Sequence, residues 1–189
     1  MSGFDPTSLP SDLPVPVDDG AADHLVAVVL PDVTLEATDG TAVRLTGLGP
    51  GRTVIYAYPM TGTPGVDPPD GWDAIPGARG CTPESCGFRD HHAELAEAGA
   101  AVLGLSTQPT EVQQEAAGRL GLPFALLSDS DLRLSAALRL PTMVVEGTTM
   151  IRRLTLVVRD GRIEHVFHPV FPPDTHAAEV LSWLRDHPA

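Results

Sequence analysis

Lysine is absent from the sequence: all 12 basic residues are arginine, set against 25 acidic residues, and the formal charge is −13. That balance excludes the basic footprint by which proteins grip nucleic acid. No apolar run approaches the ~20 residues of a membrane span. Cysteine occurs only twice, too seldom for a disulfide-stapled secreted scaffold or a zinc site made of thiolates alone. Met1 to Pro16 shows no basic region, long apolar segment or small-residue cleavage site. No secretory signal is read there, and a cytoplasmic location is expected. In that compartment an isolated cysteine pair is more often redox-active than structural.

What is present is an ordinary globular mix, 42% hydrophobic and 20% charged over 189 residues, enough for one domain with a substantial core. Residues 1–22, with Pro6, Pro10, Pro14 and Pro16, read as a leader that neither pairs as a central strand nor propagates a helix. The domain is expected over 23–189. Alternating Val33, Leu35, Ala37 and Val43, Leu45 around Asp39-Gly40 predict a hairpin. Thr53 to Tyr58 is continuously β-favouring, as in a strand buried on both faces. Thr82-Pro83-Glu84 reads as a helix start with Thr as cap, the helix running to about Ala98. Thr110 and Gln113 read as a capping box. Strands are expected at Ala101 to Leu105, Phe124 to Leu127, Leu154 to Val158 and Ile163 to Phe167, with helices at Asp131 to Leu138 and after Asp174. This order predicts an α/β fold, a central mixed β-sheet flanked by helices.

The cysteines are placed by the same reasoning. Cys81 falls where backbone N–H groups lack helical partners and the helix dipole is positive, a setting that favours a thiolate. Glu84 opposes this, weakly if solvated. Cys86 shares a face with Arg89, Asp90, Ala93 and Glu97 rather than with the apolar stripe of Phe88, His92 and Leu95, so it is not a core hydrophobe of that helix. His91 and His92 are near, but a separation of five from Cys86 to His91, and adjacency of the histidines, give no shared face for a metal.

Tyr58-Pro59, Thr63-Pro64-Gly65, Gly80-Cys81-Thr82, Cys86, Phe88-Arg89-Asp90 and Arg153-Leu154-Thr155 together resemble a peroxiredoxin, nearest the bacterioferritin-comigratory (Q-type) group. The resemblance spans roughly Leu30 to Leu184. It implies a thioredoxin-like fold with an N-terminal β-hairpin extension, and reduction of hydrogen peroxide and organic hydroperoxides with no metal, haem, flavin or other cofactor. By position Cys81 resembles the peroxidatic cysteine, Cys86 the resolving one, Arg153 the arginine set against the thiolate, and Pro59 and Thr63 the Pro and Thr of the active-site loop. The implied partners are a peroxide and a dithiol reductant such as thioredoxin, with no nucleic acid or membrane, for a monomer or homodimer.

One departure stands out. The family's Thr-Pro-Gly-Cys run is split here by residues 66–80, rich in Pro and Gly, and position 78 is Ala. Either this insertion loops out, with Trp72 and Ile75 packing it near the mouth of the site, or Thr82 or another group takes over the hydroxyl's role. Two rival functions also stand at this stage. One is a thiol-disulfide oxidoreductase acting on proteins, although no Cys-x-x-Cys is present; the other is a non-enzymatic redox-sensing or interaction module. Leu140-Pro141-Thr142 is read as the end of a helix rather than as a thioredoxin-type substrate contact.

Overall fold

The computed structural model describes residues 7–188; Pro6 and the rest of 1–6, expected in the leader, and Ala189 lie outside them. In chain order the elements are β1 (Thr34–Ala37), β2 (Ala42–Arg44), β3 (Arg52–Ala57), α1 (Cys81–Asp90), α2 (His92–Glu97), β4 (Ala100–Ser106), α3 (Thr110–Leu120) and β5 (Leu126–Ser128). They continue with α4 (Arg133–Leu138), β6 (Thr142–Val145), β7 (Thr148–Ile151), β8 (Leu154–Arg159), β9 (Arg162–Phe167) and α5 (His176–Asp186). Seven strands form one mixed sheet in the order β2-β1-β5-β4-β3-β8-β9, with β6 and β7 as a separate hairpin.

β3 lies inside the sheet, between β4 and β8, and every residue in it is buried. Its side chains alternate: Ile55 and Ala57 join one cluster with Leu105, Leu127, Leu134 and Leu156, while Val54 and Tyr56 join the other with Phe88, Leu95, Val180 and Leu184. The period of two along a strand thus divides the interior into a core on each face. β3 pairs parallel with β4 and antiparallel with β8, which sets Ala57 beside both Leu105 and Leu154. The C-terminal end of β3, the start of β8 and the first turn of α1 consequently meet at one edge of the sheet.

The local structure departs from the sequence signals at several points. The helix after the first cysteine breaks at His91, giving α1 and α2 instead of one helix to Ala98. Its cap is Gly80 at φ 107° rather than Thr82, and Cys81 is already helical. Pro83 is tolerated three residues in because the earliest helical N–H groups have no partner to lose; the first bond runs from the Glu84 N–H to the Gly80 carbonyl at 3.0 Å. Thr110 and Gln113 do not form a capping box: Gln113 is buried and its amide donates to the Leu127 carbonyl at 3.1 Å, satisfying a buried acceptor of the sheet. Likewise α5 follows a short 3-10 turn from Pro173, so Asp174 is not its cap. Leu140-Pro141 leads into β6, and the Pro141 carbonyl accepts the Arg152 N–H at 2.8 Å.

Candidate active site

Arg153 stands immediately before β8, next to the end of β3, and its side chain turns in under the start of α1. One guanidinium nitrogen, Nη2, lies 3.1 Å from Cys81 Sγ and 3.2 Å from the carbonyls of Ala78 and Arg79; Nη1 donates to the Glu84 carboxylate. Both side chains of this ion pair are essentially without solvent contact, and Cys81 is 3% exposed. Pro59 is buried at the end of β3 and its carbonyl accepts the Ser106 hydroxyl at 3.0 Å. That bond fixes the next peptide, and the Met60 N–H points at the Cys81 sulfur. The thiol itself faces the Ala78 carbonyl at 3.6 Å. A cleft lined by Met60, Gly62, Trp72, Arg79, Gly80 and Thr82 reaches it.

These contacts act on the sulfur in opposite directions. Burial pushes the Cys81 thiol up, the Arg153 guanidinium pulls it down, the Glu84 carboxylate pushes it up again, and the Met60 N–H pulls it down; the balance is upward. Glu84 is itself raised by burial, against the pull of Arg153. One guanidinium therefore serves two acids. Removing the charge of one should release the other, so Glu84→Gln is expected to shift the Cys81 thiol to lower pH. On a Cys86→Ser background the thiolate absorbance should rise at lower pH than in the parent; an unmoved or upward titration would contradict this account.

Of the residues singled out in the sequence, Cys81, Arg153 and Pro59 converge. Cys86 lies half-buried in α1, one turn beyond Cys81, and both thiols are free. Thr63 does not join them. The insertion does loop out and return Cys81 to the end of β3, but Thr63 is exposed and lies outside the residues lining the cleft. The chain is led away by the Gly62 carbonyl, which accepts from Arg119 at 2.9 Å, and by a turn from Thr63 to Val66. Thr82 instead lines the cleft, and its buried hydroxyl has no partner among the described residues. Trp72, 4% exposed, packs the insertion against Ala78, Val145 and Met150, with Ile75 beside them, as expected.

His91 turns to Glu94 at 2.9 Å and His92 lies by Phe124. Asp18, Asp19 and His168 bring donor atoms within 4.8 Å of one another, but the Arg152 guanidinium holds Asp19 at 2.7 Å and puts a fixed cation at that point. Among the described residues no helix is long and apolar enough to cross a membrane.

The class defined by this architecture is a thiol-redox protein of thioredoxin-like fold, with a buried cysteine sulfur where the parallel strands end and a helix begins. A family model described as Redoxin matches residues 26–181. Peroxiredoxin Bcp of Escherichia coli K12 is 33% identical over 163 residues, covering 84% of this chain and 94% of that protein. The chloroplastic peroxiredoxin Q of Oryza sativa subsp. japonica is 30% identical over 155 residues, 82% of this chain and 64% of its own. The crystal structure of peroxidoxin BcpB from Mycobacterium tuberculosis superposes with a TM-score of 0.70 at 30% identity, covering 87% of this chain and 98% of that one. The chain belongs to the peroxiredoxin family, with its relatives in the Bcp and Q group, and it is a thiol peroxidase.

Proposed function

We propose that Cys81 is the peroxidatic cysteine, that Cys86 resolves it within the same chain, and that Arg153 stabilises the reacting sulfur. The observation that carries this reading is the 3.1 Å contact between Arg153 Nη2 and Cys81 Sγ at the start of α1. The Cys81 thiolate attacks one peroxide oxygen, the O–O bond breaks, and the departing oxygen leaves as water or alcohol after taking a proton, so that the thiol becomes a sulfenic acid and the peroxide is reduced. Negative charge spreads over S, O and O as this happens. Arg153 and the Met60 N–H, positioned by Pro59, stand ready to receive it. The hydroxyl expected from Thr63 falls to Thr82, which lines the same cleft as Cys81 and whose buried hydroxyl has no partner among the described residues.

The Cys86 thiol then displaces water from the sulfenic acid to form a disulfide, and an external dithiol such as thioredoxin exchanges with it to restore both thiols. Each chain carries both sulfurs, so a monomer suffices. A reducing compartment, the cytoplasm, suits two free thiols. Purified protein should consume hydrogen peroxide when coupled to a thioredoxin system. Insulin reduction without peroxide turnover would support the protein oxidoreductase instead.

Five residues of helix rise about 7.5 Å, beyond the ~4.4 to 6.8 Å between the Cα atoms of a disulfide. The first turns of α1 must open in each cycle. Pro83 has no N–H and Gly80 supplies no capping side chain, so few bonds resist. In hydrogen exchange, residues 84–89 should lose protection in the disulfide form while β3 keeps it. Equal exchange in the two redox states, or a disulfide mapped between chains, would rule out this cycle.

A further inference from the structure

Residues 66–80 form an ordered flap. Successive turns are closed by the Trp72 N–H to Pro69, Ala74 to Gly71, Ile75 to Trp72 and Ala78 to Ile75, at 2.9 to 3.2 Å. Asp73 pairs with Arg79 at 3.1 Å, and the Asp70 N–H donates to Glu146, in the turn of the β6–β7 hairpin, at 3.2 Å. The hairpin thus serves as the seat of the flap: its Val145 and Met150, with Met143 partly buried, pack around Trp72. At the flap's return, the Ala78 and Arg79 carbonyls accept from Arg153, which ties the segment directly to the reactive centre.

Trp72 is thereby placed on the wall of the cleft that ends at Cys81, with Met60 also lining it. The cleft has a cavity volume of about 10 Å³, close to the minimum for one water molecule. In a hydroperoxide undergoing attack, sulfur and the two oxygens lie roughly in line, so any carbon group on the distal oxygen must leave through the mouth. A hydrogen atom there needs no room. A branched or aromatic group meets a buried indole whose position is fixed from behind by the hairpin.

We propose that Trp72 is a size gate: the flap makes this peroxidase selective for hydrogen peroxide and small hydroperoxides over bulky ones. This rests on Cys81 being the peroxidatic cysteine. The energetic scale is that of pocket discrimination by bulk, which gives about tenfold or more for a small change in apolar volume.

The test compares kcat/KM for cumene hydroperoxide and hydrogen peroxide in the parent, Trp72→Phe and Trp72→Ala. The cumene-to-hydrogen-peroxide ratio should rise in both variants, by about tenfold or more in Trp72→Ala. A second readout uses the Cys86→Ser background and compares modification of Cys81 by methyl methanethiosulfonate, which forms a methyl disulfide and releases methanesulfinate, and by N-phenylmaleimide, whose double bond the thiolate adds to, with Trp72→Leu as the variant if Trp72→Ala does not fold. The bulky-to-small rate ratio should rise in step. Ratios within about twofold of the parent in both assays would overturn the gate. Neither modification involves peroxide, so the two readings fail separately: a parent that consumes no peroxide sinks the assignment of Cys81, and variants that leave the bulky-to-small modification ratio unmoved sink the gate.

Discussion

Cys81→Ser is expected to reduce peroxide turnover to the uncatalysed background. A serine hydroxyl at that position is a far weaker nucleophile than a thiolate and cannot form the sulfenic acid through which the oxygen is taken up. The fold should survive, because sulfur and oxygen differ little in volume and the site already offers an N–H from Met60, a guanidinium and the Ala78 carbonyl to whatever atom stands there. Unchanged thermal unfolding with lost turnover is the expected pair of results. Cys86→Ser separates the two sulfurs: one oxidation per chain proceeds, then the reaction stalls, and intact mass shows added oxygen on Cys81. Sustained turnover by Cys81→Ser would refute its assignment.

Arg153 should show the next largest effect, in activity and in stability together. Lysine preserves charge but not the planar fork that reaches the sulfur, two carbonyls and Glu84 at once. We expect Arg153→Lys to lose about tenfold or more in kcat/KM, above ~1.4 kcal/mol. Arg153→Met also leaves the Glu84 carboxylate buried without its partner, and such broken pairs cost roughly 3–5 kcal/mol. Urea unfolding of the reduced protein measures this. Adding Glu84→Gln should recover part of the loss, since the second change removes the stranded charge. A double variant no more stable than Arg153→Met would show that Glu84 is not what makes the arginine necessary.

Much of this site was legible in residue order. A buried strand ending at Tyr58-Pro59, a helix start at Cys81 and an arginine before a strand at Leu154 already imply convergence once the sheet is assembled. Three features were not legible, each for a physical reason. Glu84 looks like a first-turn acid serving the helix dipole in water; only tertiary packing takes it to 0% exposure and onto Arg153. The β6–β7 hairpin escaped because its turn is Glu146-Gly147, with Glu146 at φ 48° and Gly147 at φ 79°, whereas Asn-Gly or Asp-Gly is the usual signal for that geometry. Thr63 keeps its place relative to Pro59, but spacing alone does not reveal that the Gly62 carbonyl is held by Arg119 and that Thr63 is left exposed, outside the cleft. The caps expected at Thr82 and Thr110 fail for a shared reason: each helix starts earlier, with Gly80 and Pro109 at the cap positions, so both threonines are already helical.

The flap also bears on how such a segment is tolerated within a fold. Joining two fixed points by about fifteen residues costs, in chain entropy, roughly (3/2)RT ln n, or about 2.4 kcal/mol. Burying one large side chain from water returns about 1.5–3 kcal/mol, and Trp72 is such a side chain. The two quantities nearly cancel. Loop closure by itself is thus offset by the one aromatic anchor, while the order of the rest of the flap rests on its turn bonds, the Asp73–Arg79 pair and the Asp70 contact with Glu146. In this chain the span between Pro59 and Cys81 adds a wall to the cleft while the strands and helix that hold Cys81 and Arg153 keep their places.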